Sequence, residues 1–193
     1  MTTTAFDPRP LVDRATAQLA ALVAAVPAAR LGDPTPCAAF DVRDLLAHLV
    51  SGVQDGAVIG ETGEVAWGEP PAGVPDNGWG RAYDEARARL AAAWADDAAL
   101  ERVLELPWGT FPGRVFLTSG MVLETVAHTG DLAQAVGHPL PLDQELAELA
   151  LGWAREFVPA GRRGEGVPFG PVQPAPEGAD AYARLAAWLG RTV

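Results

Sequence analysis

From Arg114 to Gly137, residues recur on one face at intervals of four and three: Leu117, Met121, Glu124, His128, Asp131 and Ala135. That spacing predicts a helix over 114–137, because ~3.6 residues complete a turn. The face begins and ends apolar, and three ionisable residues interrupt its middle. Packing it against a neighbour would take Glu124, His128 and Asp131 out of water, where a carboxylate must pair, protonate or coordinate a metal. The same periodicity predicts a first amphipathic helix over 10–28, with Leu11, Ala15, Leu19, Leu22 and Val26 inward and Asp13, Arg14 and Gln18 off that face. A second helix opens at Asp41. Asp44 completes an acidic relative of the capping box, Phe40 is placed to staple onto Leu45, and Leu45, His48, Leu49 and Gly52 share a face.

The composition of 56–80 shifts to Gly, Pro and acids, which predicts a loop crossing one end of the helices. A third helix is expected over 79–95, with Tyr83, Ala86, Leu90 and Ala93 or Trp94 buried. A short hairpin follows, built on Val103 to Leu106 and a turn through Pro107 to Phe111. Gly137 and Pro139 stop the fourth helix. A fifth begins at Asp143 within 142–158, with Leu146, Leu149, Ala150 and Trp153 inward. After a Gly- and Pro-rich stretch over 159–178, a closing helix is expected over 179–189. The pattern is mainly α: a four-helix bundle with a short β-hairpin before the fourth helix and extra C-terminal helices. Bundles place their sites between facing helices.

Composition narrows the partners. At 193 residues and 49% hydrophobic, the chain can close one ordinary core, so 1–193 is read as a single domain. A net charge of −11 and the lack of any dense basic run exclude nucleic acid and anionic membranes as expected partners. No apolar run approaches the ~20 residues needed to cross a bilayer. The opening residues MTTTAFDPRP show no cationic segment followed by an apolar core and cleavage site, so no export signal is expected. Cys37 is the single cysteine, which excludes an intrachain disulfide. A cytoplasmic protein, monomer or homodimer, is the expectation.

Candidate chemistry centres on the interrupted stripe. Glu124 and His128 are four apart and can reach one ion together; His48 supplies a third ligand if the two helices face each other. A His-His-Glu set suits zinc or another borderline divalent metal and leaves coordination open. Asp131 would hydrogen-bond a ligand imidazole or act as a fourth ligand. Two other readings of the same residues stand beside this one. In one, Glu124 orients His128 as a general base; in the other, both histidines are hydrogen-bonded core residues. His138 reads as a plain helix-end residue. Cys37 is either a small buried residue or a reactive thiol near the site. Trp67, Trp108 and Trp153 are core residues or pocket walls.

The run Thr35-Pro36-Cys37 followed by Phe40-Asp41-Val42-Arg43-Asp44-Leu45-Leu46-Ala47-His48-Leu49-Val50 resembles a signature of a known family, and so does Glu124 to Ala133. The family is that of actinobacterial metal-binding proteins related to the N-terminal domain of mycothiol-dependent maleylpyruvate isomerase, within the DinB-like superfamily. Pro168 to Pro171 and Leu185 to Arg191 are similar to its C-terminal region. Phe40 stands where the family commonly has Trp, and Thr129 and Gly130 where bulkier residues are frequent. The resemblance implies a DinB-like bundle holding a divalent metal, usually zinc and sometimes nickel, at His48, Glu124 and His128. It also implies a thiol-dependent isomerase or transferase in which the metal activates a low-molecular-weight thiol, mycothiol, toward a small electrophilic substrate. The family's isomerase carries a sterol-carrier-like second domain with no counterpart in this sequence, so isomerisation of maleylpyruvate itself is not expected. The competing expectation is a non-catalytic binder of a metal or small ligand, or a stress-associated relative with a structural ion. A metal-free helical interaction module is the third.

Overall fold

Proline occupies the first turn of α1 (Arg9–Ala24), where an amide hydrogen would have no helical partner. The computed structural model describes residues 6–38, 40–137, 141–161, 163 and 169–192. Helix α1 buries Val12, Ala15, Leu19, Leu22 and Val23. Leu11, expected inward, is half-buried at the margin of that face; the helix expected to run to residue 28 ends at Ala24, so Val26 lies beyond it, half-buried.

Helix α2 (Val42–Thr62) begins as its sequence demands, with the Asp41 carboxylate accepting from the Asp44 amide at 2.8 Å. Its far end corrects the expected loop over 56–80: the helix continues to Thr62, and only the stretch beyond Gly63 is coil. The glycines there allow close packing rather than breaking the helix. A Cβ on Gly60 would lie 2.6 Å from Trp94 Nε1, and that indole donates to the Gly56 carbonyl at 2.9 Å. Helix α3 (Trp79–Ala93) buries Tyr83, Ala86 and Leu90, as the spacing indicates. Asp96 then caps a five-residue helix, α4 (Asp97–Glu101), too short to leave a periodic signal.

Strands β1 (Val103–Leu106) and β2 (Gly109–Pro112) form the expected hairpin, with Val103 opposite Pro112 and Leu106 opposite Gly109. The predicted fourth helix is not uniform. It consists of α5 (Gly113–Val115), a π-helical stretch (Phe116–Val122) and α6 (Leu123–Val136). The hydroxyls of Thr118 and Ser119 donate to the Val115 carbonyl at 3.0 and 2.8 Å, satisfying an acceptor where the ordinary helical ladder is interrupted. Helix α6 ends at Gly137 in the left-handed conformation. His138 and Pro139 lie outside the described residues, as does Pro168.

Helix α7 (Gln144–Phe157) starts at Asp143. It packs through Leu146, Ala147, Ala150, Leu151 and Ala154. That face is rotated from the expected one, leaving Leu149 exposed and Trp153 half-buried. Asp180 caps α8 (Ala181–Trp188), and Trp188 Nε1 donates to the Ala154 and Val158 carbonyls, both at 3.1 Å, fastening α8 to α7. The fold is mainly helical. Helices α1, α2 and α3 and the α5–π–α6 unit form a bundle around Leu19, Leu46, Tyr83, Phe116 and Leu132, with α7 and α8 packed on α6. Among the described residues, no helix is long and apolar enough to cross a membrane.

Candidate metal centre

His48 lies two turns into α2 and Glu124 opens α6, so the contact between those helices brings the two side chains together across 76 positions of sequence. His48 Nε2 is 2.8 Å from Glu124 Oε1, and His128 Nε2 is 3.0 Å from the same oxygen. One ligand-type atom from each of the three residues falls within 4.8 Å of the others. Three ligands each ~2.0–2.1 Å from a tetrahedral ion would stand about 3.3 Å apart, so the spacing accommodates one ion after small adjustments. The side chains of His48 and Glu124 are 34% and 43% exposed, whereas that of His128 is 6% exposed. The cluster is therefore a shallow well, with His128 at its base and the other two at its mouth.

Phe40 forms one wall. Its ring stacks on His48 with centroids 5.0 Å apart and meets His128 edge-on at 6.4 Å, while the two imidazoles are near-perpendicular at 5.0 Å. Beneath the well, His128 Nδ1 is 2.9 Å from Asp131 Oδ2. Asp131 is in turn held by Arg191, whose Nε and Nη2 donate to Oδ1 and Oδ2 at 3.1 and 3.0 Å.

The charges of Glu124, His128, Asp131 and Arg191 act on one another. Burial alone would raise the carboxyl pKa of Glu124, but the charges and hydrogen bonds of His128 and His48 hold it well below the usual range. Burial would lower His128, yet Glu124 and Asp131 on its two nitrogens raise it to about 10. Asp131 is likewise lowered against its burial, by its hydrogen bonds to His128 and Arg191.

The structure thus gathers His48, Glu124, His128 and Asp131. Among the described residues, no hydrogen bond or ring contact joins the other candidates to the imidazoles. Cys37 is half-buried in the linker before α2, its carbonyl accepting from the Phe40 amide at 2.9 Å. Trp67 is 56% exposed in the coil after α2, Trp108 is 39% exposed at the hairpin turn, and Trp153 is half-buried on α7. Among the described residues, none of the three stacks on the imidazoles. A depression of about 700 Å³ lies by Val26, Asp76, Trp79 and Arg81, and another of about 530 Å³ lies between α1 and α3. Neither is lined by the cluster. Two residues take roles at the site that spacing alone does not announce: Phe40, placed in the sequence as a staple beside the cap, and Arg191, which follows a helix-ending Leu-Gly pair.

Residues 12–133 match the mycothiol maleylpyruvate isomerase N-terminal domain. Two uncharacterized proteins from two strains of Mycobacterium tuberculosis are each 38% identical over 191 residues, covering 97% of this chain and 100% of the relative. The fold resembles that of a mycothiol-dependent maleylpyruvate isomerase solved as a histidine-to-alanine mutant, with a TM-score of 0.58 and 17% identity over 76% of this chain. The match spans 65% of that solved chain. The chain belongs to the mycothiol maleylpyruvate isomerase N-terminal domain family.

Proposed function

We propose that His48, Glu124 and His128 hold a divalent metal, zinc by preference and nickel second, at which a low-molecular-weight thiol, mycothiol, reacts with a small electrophile in a transferase or isomerase reaction. The supporting observation is the shape of the cluster. Two imidazole nitrogens and one carboxylate oxygen share a point that protein closes from below but leaves open above. Donors of this type and number suit zinc with a free coordination position. A bound ion would stabilise the thiolate form of a coordinated thiol near neutral pH, supplying the nucleophile.

The chain's own residues do the remaining work. Asp131 accepts from His128 Nδ1, which leaves Nε2 directed at the shared point. Glu124 adds a negative charge that balances part of a dication. Phe40 covers one face of His48 and keeps water from that side. A purely structural ion, the competing reading, calls for enclosure by protein ligands, and the exposures of His48 and Glu124 oppose it. The setting that fits is the reducing cytoplasm, where a small thiol is available as cosubstrate.

The test is a panel of small electrophiles incubated with zinc-loaded protein, with and without mycothiol. Consumption of an electrophile is expected to require both metal and thiol and to vanish in His48→Ala. Turnover indifferent to thiol would reject the mechanism. Metal binding without turnover across the panel would favour the non-catalytic binder.

A further inference from the structure

We infer that Arg191 is a positioning residue for this centre, acting through Asp131 to fix the imidazole of His128. The inference rests on the metal-site reading above. The three side chains form a buried series: Arg191 is 8% exposed, Asp131 1% and His128 6%. Asp131 takes the guanidinium in a fork, Nε on Oδ1 at 3.1 Å and Nη2 on Oδ2 at 3.0 Å, while Oδ2 also lies 2.9 Å from His128 Nδ1. An ionised carboxylate only accepts hydrogen bonds, so Nδ1 must carry the proton and Nε2 is the nitrogen left for an ion. Two bonds from a planar fork also set the plane of the carboxylate, and therefore the direction in which it aims the imidazole.

The backbone delivers Arg191 to this position. At the end of α8, Gly190 adopts φ +88°. Its amide donates to the Ala187 carbonyl at 3.1 Å, and the Arg191 amide donates to Ala186 at 2.9 Å. This paired closure reverses the chain and turns Arg191 back onto α6. Arg191 Nη1 donates to the Leu189 carbonyl at 3.3 Å, and the Phe169 ring lies 5.9 Å from the guanidinium carbon. Arg191 falls outside residues 12–133, the part of the chain that matches the family domain. The C-terminal helix is therefore part of the site's support.

The experiment uses the full chain as wild type, Arg191→Met and Arg191→Lys. Three properties are read: zinc affinity by chelator competition, the visible spectrum of the cobalt-loaded protein, and the hydrogen-bonded His128 Nδ1 proton by NMR in metal-free protein. Arg191→Met is expected to lose about 10–100-fold in zinc affinity, with an altered cobalt spectrum and loss of the Nδ1 proton signal. Arg191→Lys, which keeps the charge without the fork, is expected to fall between the two. A folded Arg191→Met with wild-type affinity, spectrum and proton signal overturns the inference. If that variant does not fold, a folded Arg191→Lys identical to wild type in all three readouts overturns it. Wild-type protein that binds no zinc overturns the metal reading instead, and the proton signal still decides the role of Arg191.

Discussion

His128 is held from both ends, with Glu124 on Nε2 and Asp131 on Nδ1, and this double contact raises its pKa to about 10 despite burial. The sign of the consequence is fixed. A histidine with a raised folded-state pKa contributes stability that is fully present below its unfolded value, ~6.5, and is lost as pH rises through about 10. In metal-free protein, the difference in thermal midpoint between wild type and His128→Gln should therefore shrink between pH 7 and pH 10.5. A constant difference would mean that protonated His128 adds nothing to the fold. The spacing of Glu124, His128 and Asp131 was legible because it is a property of one helix. Arg191 was not, since its partner Asp131 is 60 positions away and no local pattern links them.

At the scale of elements, caps and chain reversals set where the side chains point. Removing the α2 cap in Asp41→Ala should cost ~1 kcal/mol in urea unfolding, the usual cost of a lost N-cap. Gly190→Ala should cost more. An L-residue there meets the left-handed penalty of ~1–2 kcal/mol, and its Cβ would stand 2.6 Å from the Gly170 backbone. Because Gly190 aims Arg191, that variant should also weaken zinc binding, whereas Asp41→Ala should leave it nearly unchanged; equal affinities would separate the α8 reversal from the site. The sequence announced α2, α3 and the hairpin by period and by capping chemistry. It misled over 56–62, where Gly60 reads as a loop signal but serves the approach of Trp94. The π-helical stretch also stayed hidden, because the apolar residues of Phe116–Val122 suit either winding.

Across the whole molecule, the candidate centre ties α2 to α6 directly and α6 to the end of α8 through Asp131 and Arg191. An ion bound only by the folded state would stabilise that whole arrangement. At a free concentration about 100-fold above its dissociation constant, the gain is ~2.7 kcal/mol. For a chain of this size the gain corresponds to a rise of roughly 5–10 °C in thermal midpoint. A chelator should reverse the rise, and His48→Ala should abolish it. The bundle class could be read from the number and period of the helices. Which helices face each other could not, because period fixes a face and not its neighbour.

The most direct measurement is the metal content of purified protein by elemental analysis, in wild type, His48→Ala and His128→Ala, each verified as folded. The account predicts about one divalent ion per chain in wild type and a loss of most of it in either variant. Wild-type protein without metal, or variants that retain the wild-type content, would contradict it.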